Sequence, residues 1–448
     1  MVARFALTLI FAAVLAAAPP QTAPPSAAPP AAGTPTITAA ARPTFHKDIE
    51  PILQARCQSC HRPGEIGPFP LLSYEHARPR ARAIRAAVLR RTMPPWFAAE
   101  ASHPFSNDAS LTAAEIATLQ AWADAGAPRG NPSDAPPPKP FVSGWNIAPP
   151  DAVFEMTSDF DIPAQAAIDY MHIVLPTGFT EDQWIQMVEV RPSNRAAVHH
   201  VVVYIRPPGS RWLDHAKPGI PAPANRAGAG QGQAQVLTIY APGMTPDMWP
   251  SGTAKLIPKG WDIILQVHYT TNGTPGRDRS KIGLVFAKAP VTQRVVTMSM
   301  MNVKLTIPPG EPNYRAEGRG FIPAGAEILS FFPHMHLRGK AFEYRAVHPD
   351  GTRETLLRVD PYRFHWQLAY RLAEPLRMPA GTRIECTGWY DNSPNNKFNP
   401  DPTATVKWGE QSWDEMMAGF FDMRYDARLT LQDLFGGKGA EPAHAPRP

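Results

Sequence analysis

The sequence predicts a multidomain chain in which a small all-α module is followed by two all-β antiparallel sandwiches. Three observations predict it. Apolar residues at helical spacing are confined to residues 45–125. Beyond residue 150 the apolar residues come in short β-branched runs between Pro/Gly turns, with no long helical period. Two Pro-rich stretches, 19–43 and 131–150, mark the seams. The expected divisions are therefore 44–130, 151–302 and 303–428, with 429–448 as a tail, because roughly 280 residues suit two domains better than one.

Taken in order, residues 1–18 carry Arg4, then an apolar run from 5 to 18, then small residues. This is the pattern of a secretory signal and is too short for a membrane span. No other stretch is long and apolar enough to cross a bilayer, and no cysteine follows the signal to take a lipid. Residues 19–43 are Ala, Pro and Thr with almost no charge, a disordered tether. The net charge of +5 is modest for 448 residues and lacks the clustered basic and aromatic pattern that nucleic-acid binding needs.

The first chemical signal is Cys57-Gln58-Ser59-Cys60-His61. Two thiols at this spacing add to the two vinyl groups of one haem, and the adjacent imidazole ligates the iron, so His61 is the expected proximal ligand. A thioredoxin-like pair needs a βαβ pattern and a zinc site needs a second C-x-x-C; the sequence has neither. Residues 45–55 place Ile49, Ile52 and Leu53 on one helical face leading into this motif. Residues 111–125 repeat the spacing with Ile116, Leu119 and Trp122, and Gly126 stands where that helix should stop. Between them, 32 residues after His61, lies Met93-Pro94-Pro95. The arrangement resembles class I cytochrome c, in which a Met before a Pro supplies the distal thioether. Met93 is the candidate here, with His76 and His103 as alternatives. The six arginines from Arg78 to Arg91 form a solvated face suited to haem propionates or an acidic redox partner. Haem is attached to exported chains in the bacterial periplasm, which is the expected compartment. Cys386 is left over, so no intramolecular disulfide is available, and a buried strand thiol is expected there.

The β-region holds the second signal. His199-His200 opens the run 201–205, His268 ends Leu265-Gln266-Val267, and His334-Met335-His336 follows Phe331-Phe332-Pro333. Imidazoles two apart on a strand share a face. Imidazole suits copper, zinc or iron, and a thioether partner favours a site that must hold Cu(I). Residues 207–235, rich in Gly, Pro and Ala, are expected as a long mobile loop. The residues 131–150 are expected to act as a semi-rigid spacer.

The order His-His, Gln-Val-His-Tyr, His-x-His and Asp-Glu-Met resembles the copper type II, ascorbate-dependent monooxygenases, the family of the peptidylglycine α-hydroxylating and dopamine β-monooxygenases. The resemblance covers roughly residues 151–428. It implies two jelly-roll domains facing each other across a solvent-filled cleft, each with one copper. His199, His200 and His268 are then expected to hold an electron-relay copper. His334, His336 and Met416 are expected to hold an oxygen-activating copper, with Met417 or Met423 as alternatives to Met416. Hydroxylating a C–H bond with O2 takes two electrons, one from each copper. The expected cofactors are thus two copper ions and one covalent haem c. The expected partners are O2, an unidentified small-molecule or peptide substrate, and a periplasmic electron donor. No nucleic acid and no stable membrane insertion are expected. The disulfides of the eukaryotic enzymes are missing, and the fused haem motif offers an electron source in cis. A non-catalytic electron-transfer or copper-handling protein on the same scaffold is the alternative. A zinc site at His199, His200 and His268 is a third, weakened by the thioether in the other set, which zinc rarely recruits.

Overall fold

The computed structural model describes residues 42–99, 102–223, 234–323 and 325–435. The signal segment 1–18 and nearly all of the tether 19–43 lie outside them, as do the end of the tail and 224–233. No helix among the described residues is long and apolar enough to cross a membrane.

The helical module follows the apolar spacing closely. A π-helical turn, Phe45–Ile49, runs into the helix Glu50–Arg56, and Phe45, Ile49 and Leu53 are fully buried. The helix Ala113–Asp124 starts at Thr112, whose hydroxyl accepts from the Glu115 amide while the Glu115 carboxylate accepts from the Thr112 amide. It ends before Gly126, whose φ of +83° suits a residue without Cβ. Leu119 and Trp122 pack against Phe45 to close the small core. The structure adds two further helices, Tyr74–Ala77 and Ala81–Leu89, which bury only Ala77, Ala81 and Val88.

The β-region is two sandwiches that share one sheet. The shared sheet has nine strands, and its two halves meet where Thr253–Ile257 and Gln293–Met301 pair in parallel. One half packs against a five-stranded sheet built around Met171–Pro176, Asp262–Tyr269 and Val198–Arg206. The other half, with Gln293–Met301, Ala418–Asp426, Glu327–His334 and Tyr370–Arg377, packs against a four-stranded sheet. Gln293–Met301 pairs along its whole length with Ala418–Asp426, so this strand belongs to the second sandwich although the expected seam stood at 302/303. Cys386 lies fully buried on the strand Arg383–Tyr390.

Two expectations are corrected. The segment 131–150 is pinned rather than free. Lys139 donates to the Gln54 carbonyl at 2.8 Å, Gln54 donates to the Pro137 carbonyl at 3.1 Å, and the Arg62 guanidinium sits 4.4 Å from the Phe141 ring centroid. Asn146 donates its backbone and side-chain N–H groups to the Glu189 carboxylate. Proline prepares such a segment to lie extended on a surface as readily as to span a gap. The described part of the 207–235 segment is anchored as well, because Trp212 and Leu213 bury against Val174 and Ile264.

Asp278 braces the turn that carries the first histidines. It is fully buried and accepts from the Ser193 and Asn194 amides, the Tyr269 hydroxyl and the Ser280 hydroxyl. Asp278→Ala leaves these donors buried without a partner and is expected to lower stability by about 3 kcal/mol, measured by chemical denaturation, with Asp278→Asn losing less.

Candidate metal centre

His200 and His268 face each other across the paired strands Val198–Arg206 and Asp262–Tyr269. The next pair in register is Val198 with Tyr269, which leaves His199 as the extra residue of a β-bulge. Adjacent strand residues normally point to opposite faces. The bulge re-aims His199, so both neighbours join one cluster with His268. One ring nitrogen from each of the three lies within 4.8 Å of the others, and His199 Nδ1 stands 3.0 Å from His200 Nδ1.

His334 ends the strand Glu327–His334, and Met335 turns into the second core, so His334 and His336 share the opposite face. His334 Nδ1–H donates to Gln367 Oε1 at 2.7 Å, which leaves Nε2 as the free electron pair. The backbone N–H of His336 donates to Glu415 Oε2 at 2.9 Å. Met417 and Met423 are fully buried in the second core. Met416 is only half-buried, and alternation along the chain puts it with Ala418, on the face of His334.

The five imidazoles form one buried cluster. None is more than 7% exposed, and the rings of His200 and His334 meet edge to face with centroids 5.5 Å apart. The cleft implied by the resemblance is therefore replaced by direct contact between the two sets. The cause lies in the loops. From the second sandwich, Ser412 Oγ reaches His268 Nε2 at 3.0 Å, and Phe364 stacks on His199 at 4.7 Å. Burial holds every imidazole in its neutral form: His199 is lowered to about 3 and His334 to about 4, while His200, His268 and His336 are pushed further by burial and by one another. His199 Nε2, His268 Nδ1 and both ring nitrogens of His336 are enclosed with no hydrogen bond of normal geometry. Neutral, orphaned imidazole nitrogens fit a metal ion better than they fit a packed core.

Two site residues gave no signal in the sequence. Tyr170 is buried between the sets, with its ring 4.6 Å from His268, 5.5 Å from His200 and 6.5 Å from His336, and its hydroxyl has no partner of normal geometry. A single tyrosine before a buried strand looks like any core aromatic. Glu415 is fully enclosed and burial raises it to about 8. It lies inside the Asp-Glu-Met motif, so its neighbour drew the reading that belonged to both.

In the helical module His61 Nδ1–H donates to the Phe69 carbonyl at 3.0 Å, leaving Nε2 free, and Cys57 and Cys60 are unpaired thiols. The loop is tight, since a Cβ at Gly67 would fall 2.6 Å from the Cys60 carbonyl. Met93 lines a cavity of about 540 Å³ together with Trp96, His103 and Phe105. His61 is not on its wall. His103 is already engaged with Glu354 at 2.9 Å, and His76 does not reach the cavity.

No curated protein matches the chain. Among solved structures, the bacteriophage PM2 major capsid protein P2 is 12% identical over 61% of this chain and 97% of that one, at a TM-score of 0.24. The VP2 subviral particle of infectious bursal disease virus is 10% identical over 63% and 74%, at 0.19. Overlaps this slight carry no argument. Residues 294–430, which include His334, His336, Glu415 and Met416, match the family model of the copper type II ascorbate-dependent monooxygenase C-terminal domain, so the second sandwich is similar to a copper-dependent oxidoreductase domain.

Proposed function

We propose that this chain is a periplasmic, haem-fused copper monooxygenase that hydroxylates a C–H bond with O2. The observation that carries it is the cluster of five buried, neutral histidines with orphaned ring nitrogens, two of which, His334 and His336, lie inside the segment that matches the monooxygenase family. The overall change is R–H + O2 + 2 electrons + 2 protons → R–OH + water. Copper, when bound, supplies one-electron chemistry and an affinity for O2, and a haem at Cys57, Cys60 and His61 supplies electrons.

The chain's own residues divide the work. His199, His200 and His268 offer imidazole only, which suits an ion that stores and passes an electron. His334, His336 and Met416 combine two imidazoles with a weak, soft thioether, which favours the reduced ion and leaves room for a further ligand. Gln367 fixes the tautomer of His334, and Glu415 fixes the backbone of His336. Burial keeps water from the cluster and every imidazole ready to ligate. The exposed arginines of the helical module, Arg78, Arg82, Arg90 and Arg91, suit the docking of an acidic electron donor.

Protein expressed in a periplasm with copper is expected to carry two coppers and one covalent haem per chain, by metal analysis and absorption spectroscopy. A single copper, or zinc in both sets, would overturn the reading. Met416→Ala should lower substrate-dependent O2 consumption while the three-histidine set stays loaded. Gln367→Leu should weaken copper at His334 and His336 by about 10- to 100-fold in a competition titration. Replacing Cys57 and Cys60 should abolish covalent haem. Met93→Ala should lose the sulfur-to-iron absorption band, and an unchanged spectrum would hand the distal position to His76 or His103.

A further inference from the structure

From the geometry we infer that the contact between the 57–67 loop and the turn before His199 is the port through which an electron reaches the three-histidine copper. The inference rests on the function proposed above and adds which residues carry the electron to the three-histidine set.

The helical module touches the sandwiches on two sides. On the first, Cys60 Sγ lies beside Gly243, where a Cβ would stand 3.9 Å from the sulfur. Five residues beyond Cys60, Glu65 accepts from Arg195 at 2.6 Å and, through its other oxygen, from Arg62 at 2.9 Å. The Arg195 and Glu65 side chains are only 17% and 16% exposed, so this pair is shielded far better than an ordinary surface ion pair.

Both contacts lead to the same ligands. Arg195 stands four residues before His199, in a turn whose Asn194 carbonyl accepts from the Ala197 and Val198 amides and whose 193 and 194 amides are held by Asp278. Gly243 lies three residues after Tyr240, which pairs with Val201, the residue next to His200. A sulfur attached to a haem stands one saturated carbon from the edge of its π system. The route from that edge to His199 and His200 therefore needs one van der Waals contact or one ion pair, and the remainder is covalent backbone and strand pairing.

The second side leads elsewhere. Trp96 and Phe105 pack their rings against Tyr370 at tilted and edge-to-face angles, with centroids 4.9 and 5.7 Å away, and Tyr370 follows three residues after Gln367, the partner of His334. This contact starts from a cavity wall and not from a covalent attachment. It also ends at the set with the thioether, whose open position is wanted for O2.

The step moves one electron and no atom. Ferrous iron becomes ferric as cupric copper becomes cuprous, and a one-electron donor outside the chain restores the iron. Glu65 and Arg195 act by position, holding the thioether edge against Gly243.

The test uses the full-length chain loaded with haem and copper, kept free of O2, with the haem reduced and the copper oxidised. Stopped-flow absorption follows haem reoxidation, and electron paramagnetic resonance follows loss of the cupric signal at the three-histidine set. Glu65→Gln and Arg195→Gln should each slow reoxidation by about tenfold, with haem potential and copper content unchanged. Gly243→Val, which adds bulk at a φ of +86°, should slow it further by pushing Cys60 away. Unchanged rates in all three variants would overturn the inference. So would slowing in Trp96→Leu in their place, which would route electrons through Tyr370. A wild-type chain that binds no haem overturns the proposed function together with this inference, whereas a chain that binds haem and copper but behaves in either of those ways overturns the inference alone.

Discussion

The buried carboxylate of Glu415 holds the two halves of the histidine cluster in register. Its oxygens accept from the His336 and Arg338 amides at 2.9 and 2.6 Å, which fixes the turn after the strand Glu327–His334. Burying a carboxylate is costly unless a charge or several hydrogen bonds meet it. Burial raises Glu415 to about 8, against the pull of those amides and of Arg338. Arg338 is itself 2% exposed, bonded to the Asn392 side chain and the Trp413 carbonyl. Ser412 and Met416 sit on either side of Glu415 in one short segment. One anchored carboxylate thereby helps position the hydroxyl that meets His268.

That anchoring explains why the two histidine sets touch. The first sandwich supplies three imidazoles at strand ends, with the Tyr170 ring against His268 and His200. Cover comes from the second sandwich, through Ser412 over His268 and Phe364 over His199. Closing over the cluster shuts out water and leaves ring nitrogens with no partner. Each such nitrogen costs roughly 1–3 kcal/mol when nothing binds it. A bound ion would remove that cost.

The helical module is fixed to the sandwiches and does not sample them from a tether. Its 57–67 loop packs on the first sandwich, while residues 98 and 105 make single β-bridges to Val359 and Leu372 of the second. Asn107 adds hydrogen bonds to the backbone of Ala369 and Arg371. Effective concentration governs a module on a free linker. In a docked module the governing quantity is the contact itself, and residue identity at that contact decides how well it conducts.

The sequence alone determined which candidate ligands share a face, and the layers. C-x-x-C-H, the paired histidines and the alternation around His334-Met335-His336 are local patterns, and local spacing decides which side chains share a face. Apolar periodicity likewise determined the helices around residues 45–56 and 113–124, and the short β-branched runs marked their strands. Tertiary structure alone decided the rest. The bulge at His199 depends on the pairing partner that Asp262–Tyr269 supplies. The shared nine-stranded sheet depends on a parallel pairing between strands almost forty residues apart. The contact between His200 and His334 and the places of Tyr170 and Glu415 all come from which face of which strand meets another. These are properties of distant neighbours, and no window of local sequence contains them.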